Sequence, residues 1–287
     1  MRKNTNLNNA KREKNDEFYT LYKDIEKELK HYKEHFKNKI VYCNCDNPKK
    51  SNFWKYFYDN FNSLELKKLI ATYYDPDNNS YKYEYDGANI KTEALNGNGD
   101  FRSEECIDIL KQSDLIITNP PFSLFREYIG QLIKYEKKFL IIGNLNAFTN
   151  KELFPYIRDN KIWLGVNTVK SFEQPDNTLK KIGNINWYTN LDHNKRHNKL
   201  VLNRIYTPEE YPKYDNYDAI NVNKTKDIPK NYYEVMGVPI TFIYKYNPEQ
   251  FEIIGELNHG CDNIYDLGKP VINGKEYYSR LLIKRKS

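Results

Sequence analysis

Asp114-Leu115-Ile116-Ile117-Thr118-Asn119-Pro120-Pro121-Phe122 is a short apolar run cut off by two prolines. Leu115–Thr118 predicts a buried strand. Proline lacks the N–H that a ladder needs, and it pushes the residue before it into an extended conformation. Asn119 is therefore expected extended at the carboxyl edge of that strand, where open α/β sheets bind their ligands. Residues 119–122 supply an amide side chain, a rigid backbone carbonyl and an aromatic ring. Those parts suit gripping an exocyclic amine on a flat base.

The flanking sequence places this strand in a larger alternation. Leu21, Ile25, Leu29, Tyr32 and Phe36 fall on one helical face, and Lys39–Cys45 reads as a buried strand. Phe53, Trp54, Phe57 and Phe61 mark a second helix, Leu69–Tyr74 a second strand, and Tyr81, Tyr83 and Tyr85 alternate as a third. Ser103 can cap a helix bearing Ile107, Ile109 and Leu110, with Glu104 and Glu105 at its positive end. After Phe122 come a helix with Phe125, Tyr128, Ile129, Leu132 and Ile133, then a strand at Phe139–Ile142. Thr149-Asn150-Lys151-Glu152 reads as a capping box opening another helix, and Ile162–Val166 as a further strand. This alternation predicts an α/β fold with a mostly parallel central sheet covered on both faces. Beyond about residue 167 the segments turn irregular, polar and Tyr-rich, with Pro175, Pro208, Pro212, Pro229, Pro239 and Pro248. Pro239–Tyr246 and Phe251–Leu257 still read as strands able to rejoin a sheet.

A length of 287 residues allows one large domain or a core with an appendage, and 39% hydrophobic content argues for a packed core over disorder. The net charge of +6 suits a nucleic-acid partner without demanding one. Cys43, Cys45, Cys106 and Cys261 form no Cys-x-x-Cys pair and have no His at zinc spacing, so no metal site is expected. They read as reduced intracellular thiols. No apolar stretch approaches the ~18 residues of a membrane span, so the expected location is the cytoplasm, with no membrane partner.

Transfer of a methyl group to a base amine explains why 119–122 would be built this way. The amine lone pair is conjugated with the ring and is a poor nucleophile. Two acceptors aimed at its two N–H bonds hold the nitrogen and favour a more tetrahedral shape. The Asn119 side-chain oxygen can be one and the Pro120 carbonyl the other, its direction fixed by the step to Pro121. Phe122 can stack on the base. Positive charge develops on the amine as it attacks the sulfonium methyl of S-adenosylmethionine, so both acceptors strengthen in the transition state. The competing reading is a proline turn that happens to follow a strand.

Asp114–Phe125 resembles motif IV of the amino-methyltransferases. Residues Val41-Tyr42-Cys43-Asn44-Cys45-Asp46-Asn47-Pro48 with Ser51-Asn52-Phe53-Trp54, and Gly143-Asn144-Leu145-Asn146-Ala147, are similar to the EcoRI-type adenine-specific DNA methyltransferases. So are Asn184-Ile185-Asn186-Trp187-Tyr188-Thr189-Asn190 and Met236-Gly237-Val238-Pro239-Ile240-Thr241-Phe242. The resemblance covers residues 15–257. It implies a Rossmann-like methyltransferase fold, S-adenosylmethionine as donor and N6-methyladenine in double-stranded DNA as product. The polar, basic residues 1–15 read as a flexible arm, ahead of an expected methyltransferase core at 16–183 and a DNA-contacting, target-recognition region at 184–287.

By the same resemblance, Asp16-Glu17-Phe18-Tyr19-Thr20 lies near the methionine end of the cofactor, while Thr20 could equally cap the helix that follows. The loop after the first strand, with Asn44, Asp46, Ser51 and Asn52, lacks the glycines usual at a methyltransferase cofactor loop. Asn and Asp tolerate positive φ best after glycine, so a tight turn is still open to it, and Asp46 could take the cofactor's amino group. Asp75 is a candidate for the ribose hydroxyls or for a plain turn, and Asp100 with Phe101 for the cofactor adenine.

A base inside a duplex must flip out to reach such a pocket. Trp187 or Tyr188 could supply a second stacking surface, or could be a core aromatic. His193, Lys195, Arg196 and His197 interleave basic groups with amides, a pattern fitting phosphate and base-edge contacts or a solvated charge run. Competing substrates for the same motif are cytosine N4, an RNA adenine and a protein glutamine, and a catalytically silent DNA-binding module is a different class altogether. The leading expectation is a monomeric enzyme, working in a restriction-modification system beside a separate endonuclease or encoded by a phage.

Overall fold

The computed structural model describes residues 18–174, 178–258 and 268–286. The expected arm at 1–15, together with Asp16, Glu17, Pro175 and Cys261, lies outside the described residues. The chain forms two compact units, 18–145 with 165–192, and 146–164 with 193–286.

The first unit is built on a nine-stranded sheet. In chain order its elements are β1 (Tyr19–Thr20), α1 (Tyr22–Leu29), β2 (Ile40–Cys43), α2 (Asn52–Asp59), β3 (Lys68–Ala71), β4 (Tyr81–Tyr85), β5 (Ile90–Ala94), α3 (Glu104–Gln112), β6 (Leu115–Thr118), α4 (Phe125–Lys134) and β7 (Lys138–Asn144). β8 (Trp163–Glu173) and β9 (Leu179–Thr189) complete it. The strand order is β1-β8-β9-β7-β6-β2-β3-β4-β5.

Only the centre is parallel, namely β7 with β6, β6 with β2, and β2 with β3. The pairs β1–β8, β7–β9, β3–β4 and β4–β5 are antiparallel, which corrects the expectation of a mostly parallel sheet. The reason is connectivity: a parallel pair needs a crossover, usually a helix, whereas β3, β4 and β5 follow one another without one. The chain runs from β2 to β3 on one side and later sets β6 on the other. The carboxyl ends of β2 and β6 therefore flank the point where the winding reverses.

Both sides of the central strands are filled, as their continuous apolar sequence requires. Val41, Cys43, Leu69, Ala71, Leu115 and Ile117 share one core with Ile25 and Leu29 of α1 and Phe53 and Phe57 of α2. The intervening residues meet α3 and α4. Tyr42 shares Thr72 with Cys106, and Phe125 packs on Tyr188 at 5.2 Å between ring centres.

A buried carboxylate ties α1 to β8. Glu28 Oε1 accepts from the Tyr32 hydroxyl at 3.0 Å and from Val166 N at 2.7 Å. Its Oε2 accepts from Asn167 N at 2.7 Å and Asn167 Nδ2 at 2.9 Å. Gly165 makes room for it, since a Cβ there would lie 2.3 Å from Glu28 Oε1. Burial and the neighbouring Glu28 carboxylate push the Tyr32 hydroxyl far above its usual range.

The second unit contains α5 (Phe154–Arg158), β10 (Ile220–Asn221), β11 (Met236–Pro239), β12 (Phe251–Leu257), β13 (Val271–Ile272), β14 (Lys275–Glu276) and β15 (Arg280–Arg285). Four of these strands form a separate sheet, β10-β11-β15-β12, so the C-terminal strands do not rejoin the large sheet.

Several local expectations are revised. Thr149 does not open a helix; its hydroxyl donates to Asn146 O within a 3₁₀ turn, and α5 starts at Phe154 with Pro155 in its first turn. From 167 to 189 the chain is not irregular, because β8 runs to Glu173 and β9 from Leu179 to Thr189, and only the far end of β9 is buried, which hides its period; the stretch from 190 to 219 is irregular as expected. Pro239 ends β11 instead of starting a strand, and Ile240–Lys245 continues as 3₁₀ helix. The expected division between residues 183 and 184 falls inside β9, and the units divide at 145, 164 and 192 instead.

Candidate active site

The carboxyl ends of β2 and β6 bring together residues far apart in sequence. Asp46 follows β2 and is 7% exposed. Its Oδ1 accepts from the Ser51 hydroxyl at 2.6 Å, and its Oδ2 accepts from the Thr118 hydroxyl at the end of β6. Ser51 is also the N-cap of α2, accepting from Phe53 N at 3.0 Å and Trp54 N at 3.3 Å. The glycine-poor loop thus keeps its shape through side-chain bonds. Burial raises the Asp46 carboxyl to about 6, against the pull of the Ser51 and Thr118 hydroxyls that favour its charged form.

Asn119 follows Thr118 directly. Its Nδ2 donates to Phe18 O at 2.6 Å, which ties the proline loop to the start of β1. Its Oδ1 is buried and has no partner among the described residues. Asn52 does the same two residues along, Nδ2 donating to Thr20 O at 2.9 Å. Asn44 accepts the Tyr128 hydroxyl on Oδ1, while its Nδ2 and the Thr20 hydroxyl are buried without partners among the described residues. Three unsatisfied polar atoms in one region are costly unless something else occupies it, so a polar ligand is the physical expectation. Pro120 is buried, and Tyr19 pairs with Glu173 across the β1–β8 ladder.

Farther along the same edge, Asp75 N donates to Asn98 O at 2.8 Å, bringing the β3 end against the segment carrying Asp100. Gly99 permits this approach, with φ at 76° and no room for a Cβ, which would meet Tyr73 O at 2.0 Å. The Asp75 Oδ1 closes its own turn by accepting from Asp77 N and Asn78 N. Asp100 is gripped by Arg102, with Nε to Oδ1 at 2.9 Å and Nη2 to Oδ2 at 2.6 Å, and the guanidinium holds the carboxyl below its usual range. Phe101 packs edge-on against Tyr128 at 5.0 Å, which links it to Asn44. The set has acidic and amide acceptors beside an aromatic wall, a donor set that fits a cationic nucleoside.

Phe122 is half-buried. Its ring stacks on Phe18 at 6.2 Å and meets Phe172 edge-on at 5.8 Å. Trp187 and Tyr188 are fully buried, which corrects their expected role as the second stacking surface. Trp187 lies edge-on to Phe53 in the core, and the Tyr188 hydroxyl donates to Asn144 O at 3.0 Å. Alternation along a strand with two buried faces leaves neither ring open to a base.

The basic run belongs to the second unit. His193 is buried, with Nε2 against Leu164 O at 3.0 Å. Arg196 lies over the Trp163 ring at 3.5 Å and donates to Asn160, and His197 Nδ1 meets Glu249 Oε1 at 2.9 Å. Lys195 is half-buried. Much of this run therefore holds the unit together. Among the described residues no group of three or more His, Cys, Asp or Glu is gathered for a metal ion, and no helix is long and apolar enough to cross a membrane.

Thr118 and Tyr128 were not singled out by sequence. A hydroxyl closing an otherwise apolar strand was the signal for Thr118. For Tyr128 there was only a polar tip on the apolar face of α4.

The family described as adenine-specific methyltransferase EcoRI matches residues 6–286. The type II methyltransferase M.EcoRI of Escherichia coli is 52% identical over 98% of this chain and 96% of its own. M.MgeORF184P of Mycoplasma genitalium is 39% identical over 97% of this chain and 98% of its own, and M.MpnI of Mycoplasma pneumoniae 38% over 98% of each. No solved structure gives a significant match.

Proposed function

The chain belongs to the EcoRI family of adenine-specific methyltransferases, and from that premise we propose that it methylates the N6 amine of adenine at a specific site in double-stranded DNA. The observation that carries the reading is the Asn119 amide, whose Nδ2 is committed to Phe18 O and whose Oδ1 is left as a buried acceptor beside Pro120. Asn119 Oδ1 and the Pro120 carbonyl take the two N–H bonds of the flipped base, and their hold tightens as the nitrogen becomes cationic. We read the core as Rossmann-like, on the strength of its reversal in strand order beside the site.

S-Adenosylmethionine, when bound, supplies the methyl group on its sulfonium. Asp46, Asn44 and Thr20 would hold its amino-acid end, Asp75 its ribose, and Asp100 and Phe101 its adenine. The second unit is proposed to contact DNA, and a separate endonuclease reading the same sequence would complete a restriction-modification pair. The enzyme is read as a cytoplasmic monomer, since one strand at a time needs one active site.

The test is incubation with labelled S-adenosylmethionine and DNA, RNA or protein, followed by sequencing of modified plasmid. Label in DNA at N6 of adenine is expected. Label confined to RNA, protein or cytosine would replace the substrate, and no transfer at all would leave a DNA-binding module.

Asp46 gives a second expectation. With its carboxyl raised to about 6, it is charged at neutral pH and protonated in mild acid. Affinity for the cationic cofactor should fall as pH drops through that value, and Asp46→Asn should bind weakly with no such dependence. The raised value works the other way on stability: burial favours the neutral acid, so its contribution is complete below about pH 4 and is lost as pH rises through about 6, roughly 3 kcal/mol in all. Calorimetric titration across pH and urea unfolding of Asp46→Asn would read the two effects separately.

A further inference from the structure

We propose that Asn52 is a positioning residue: acting through the backbone of Phe18–Thr20, it fixes which end of the Asn119 amide faces the substrate. The proposal rests on the reading of Asn119 as an amine acceptor.

β1 is the last strand of its sheet, paired on one side through Tyr19 with Glu173 and Thr20 with Phe172. Carbonyls two residues apart on a strand point the same way, so Phe18 O and Thr20 O share one side of β1, the side that pairs with no other strand among the described residues. Each is taken by an asparagine, Phe18 O by Asn119 Nδ2 at 2.6 Å and Thr20 O by Asn52 Nδ2 at 2.9 Å. A carbonyl only accepts, so each asparagine must turn its NH₂ toward the strand.

For Asn119 that settles the chemistry. With Nδ2 on Phe18 O, the oxygen is the end left over, buried and unpartnered among the described residues. The reversed amide would aim N–H at an amine's N–H and could not hold it. Amide polarity therefore decides whether the site works, and it is set by a backbone carbonyl.

That carbonyl is held by little else. The ladder engages two residues of β1, and the Phe18 ring rests on Phe122 and Phe172 with Lys180 over it at 4.8 Å. Asn52 is the polar anchor at the other end. It is the first residue of α2, directly after the Ser51 cap that is locked to Phe53 N, Trp54 N and Asp46. A rigid helix start thus grips Thr20 and holds Phe18 O two residues away.

Asn52→Ala removes the anchor, and Asn52→Asp keeps the shape while offering only acceptors to a carbonyl. Both are expected to lower kcat at saturating DNA and S-adenosylmethionine by between about tenfold and a hundredfold, the effect of a misplaced reacting group. The Kd for S-adenosylmethionine by calorimetry should rise only slightly, since the released strand also carries Thr20, and the loss in kcat should persist once the cofactor saturates. Unchanged kcat in both variants would overturn the proposal. So would a kcat that recovers fully at high cofactor together with a raised Kd, because Asn52 would then be a direct cofactor ligand.

A substrate-free measurement separates this from the proposed function itself. Hydrogen exchange of the Asn119 side-chain amide, assigned by NMR through its loss in Asn119→Asp, should be slow in the wild type and faster in Asn52→Asp. Unaltered exchange would refute the coupling whether or not the protein methylates DNA, and it reads out even where Asn52→Ala fails to fold.

Discussion

Asn119→Ala is expected to slow methyl transfer by roughly two to three orders of magnitude while leaving DNA binding in place. The substitution deletes the proposed amine acceptor, whose bond would grow stronger as positive charge develops, so the loss should fall on the transition state and not on the ground-state complex. Single-turnover kinetics with labelled cofactor would read the rate, and a mobility-shift titration the affinity. An equal loss in kcat and kcat/KM is the predicted signature. Wild-type turnover would remove Asn119 from the chemistry. Lost DNA affinity with a normal rate would make it a binding residue.

The largest stability effect is expected at Glu28. Glu28→Ala should cost roughly 3–5 kcal/mol, because it removes a buried acceptor shared by a buried hydroxyl and two backbone N–H groups at once. Tyr32 is fully buried, so its hydroxyl cannot turn to water for a substitute bond. Glu28→Gln keeps one oxygen but brings an NH₂ against a donor, and should fall between the wild type and the alanine variant. Urea unfolding would measure both, and a change below about 1 kcal/mol for Glu28→Ala would show that β8 does not depend on this carboxylate.

The sequence was most readable where one physical cause dominated. Leu115–Thr118 is a strand to the residue because its apolar run meets a double proline, and Phe251–Leu257 matches as well. Ser103 caps the helix that follows it, as its place before Glu104 and Glu105 predicts. The sheet's antiparallel flanks were hidden, since strand direction is set by what connects the strands, and a helical crossover is not visible in the strands themselves. Trp187 and Tyr188 misled for a related reason. An aromatic pair reads alike whether it faces solvent or two cores, and only the position of β9 beside β7 decides.

Within the candidate site, the sequence points to Asn119 and Asp46 but not to their hydrogen-bond partners. Nothing in the one-dimensional order places Thr118 against Asp46, 72 positions away, or Phe18 O against Asn119. Those bonds depend on which strand ends become neighbours. Asp100 is the exception, since its guanidinium partner Arg102 lies only two residues on and is suggested by charge pairing alone.

The chain passes between its two units three times, at 145, 164 and 192. A hybrid made by a single crossover between two such enzymes would therefore always divide at least one unit between the parents, and both units where the junction falls between 146 and 192. Transplanting the second unit whole requires exchanging 146–164 together with everything after 192, while β9 and β8 beyond Leu164 stay behind. Exchange of the second unit in this architecture is thus a two-segment graft, and every library built on one breakpoint divides at least one core.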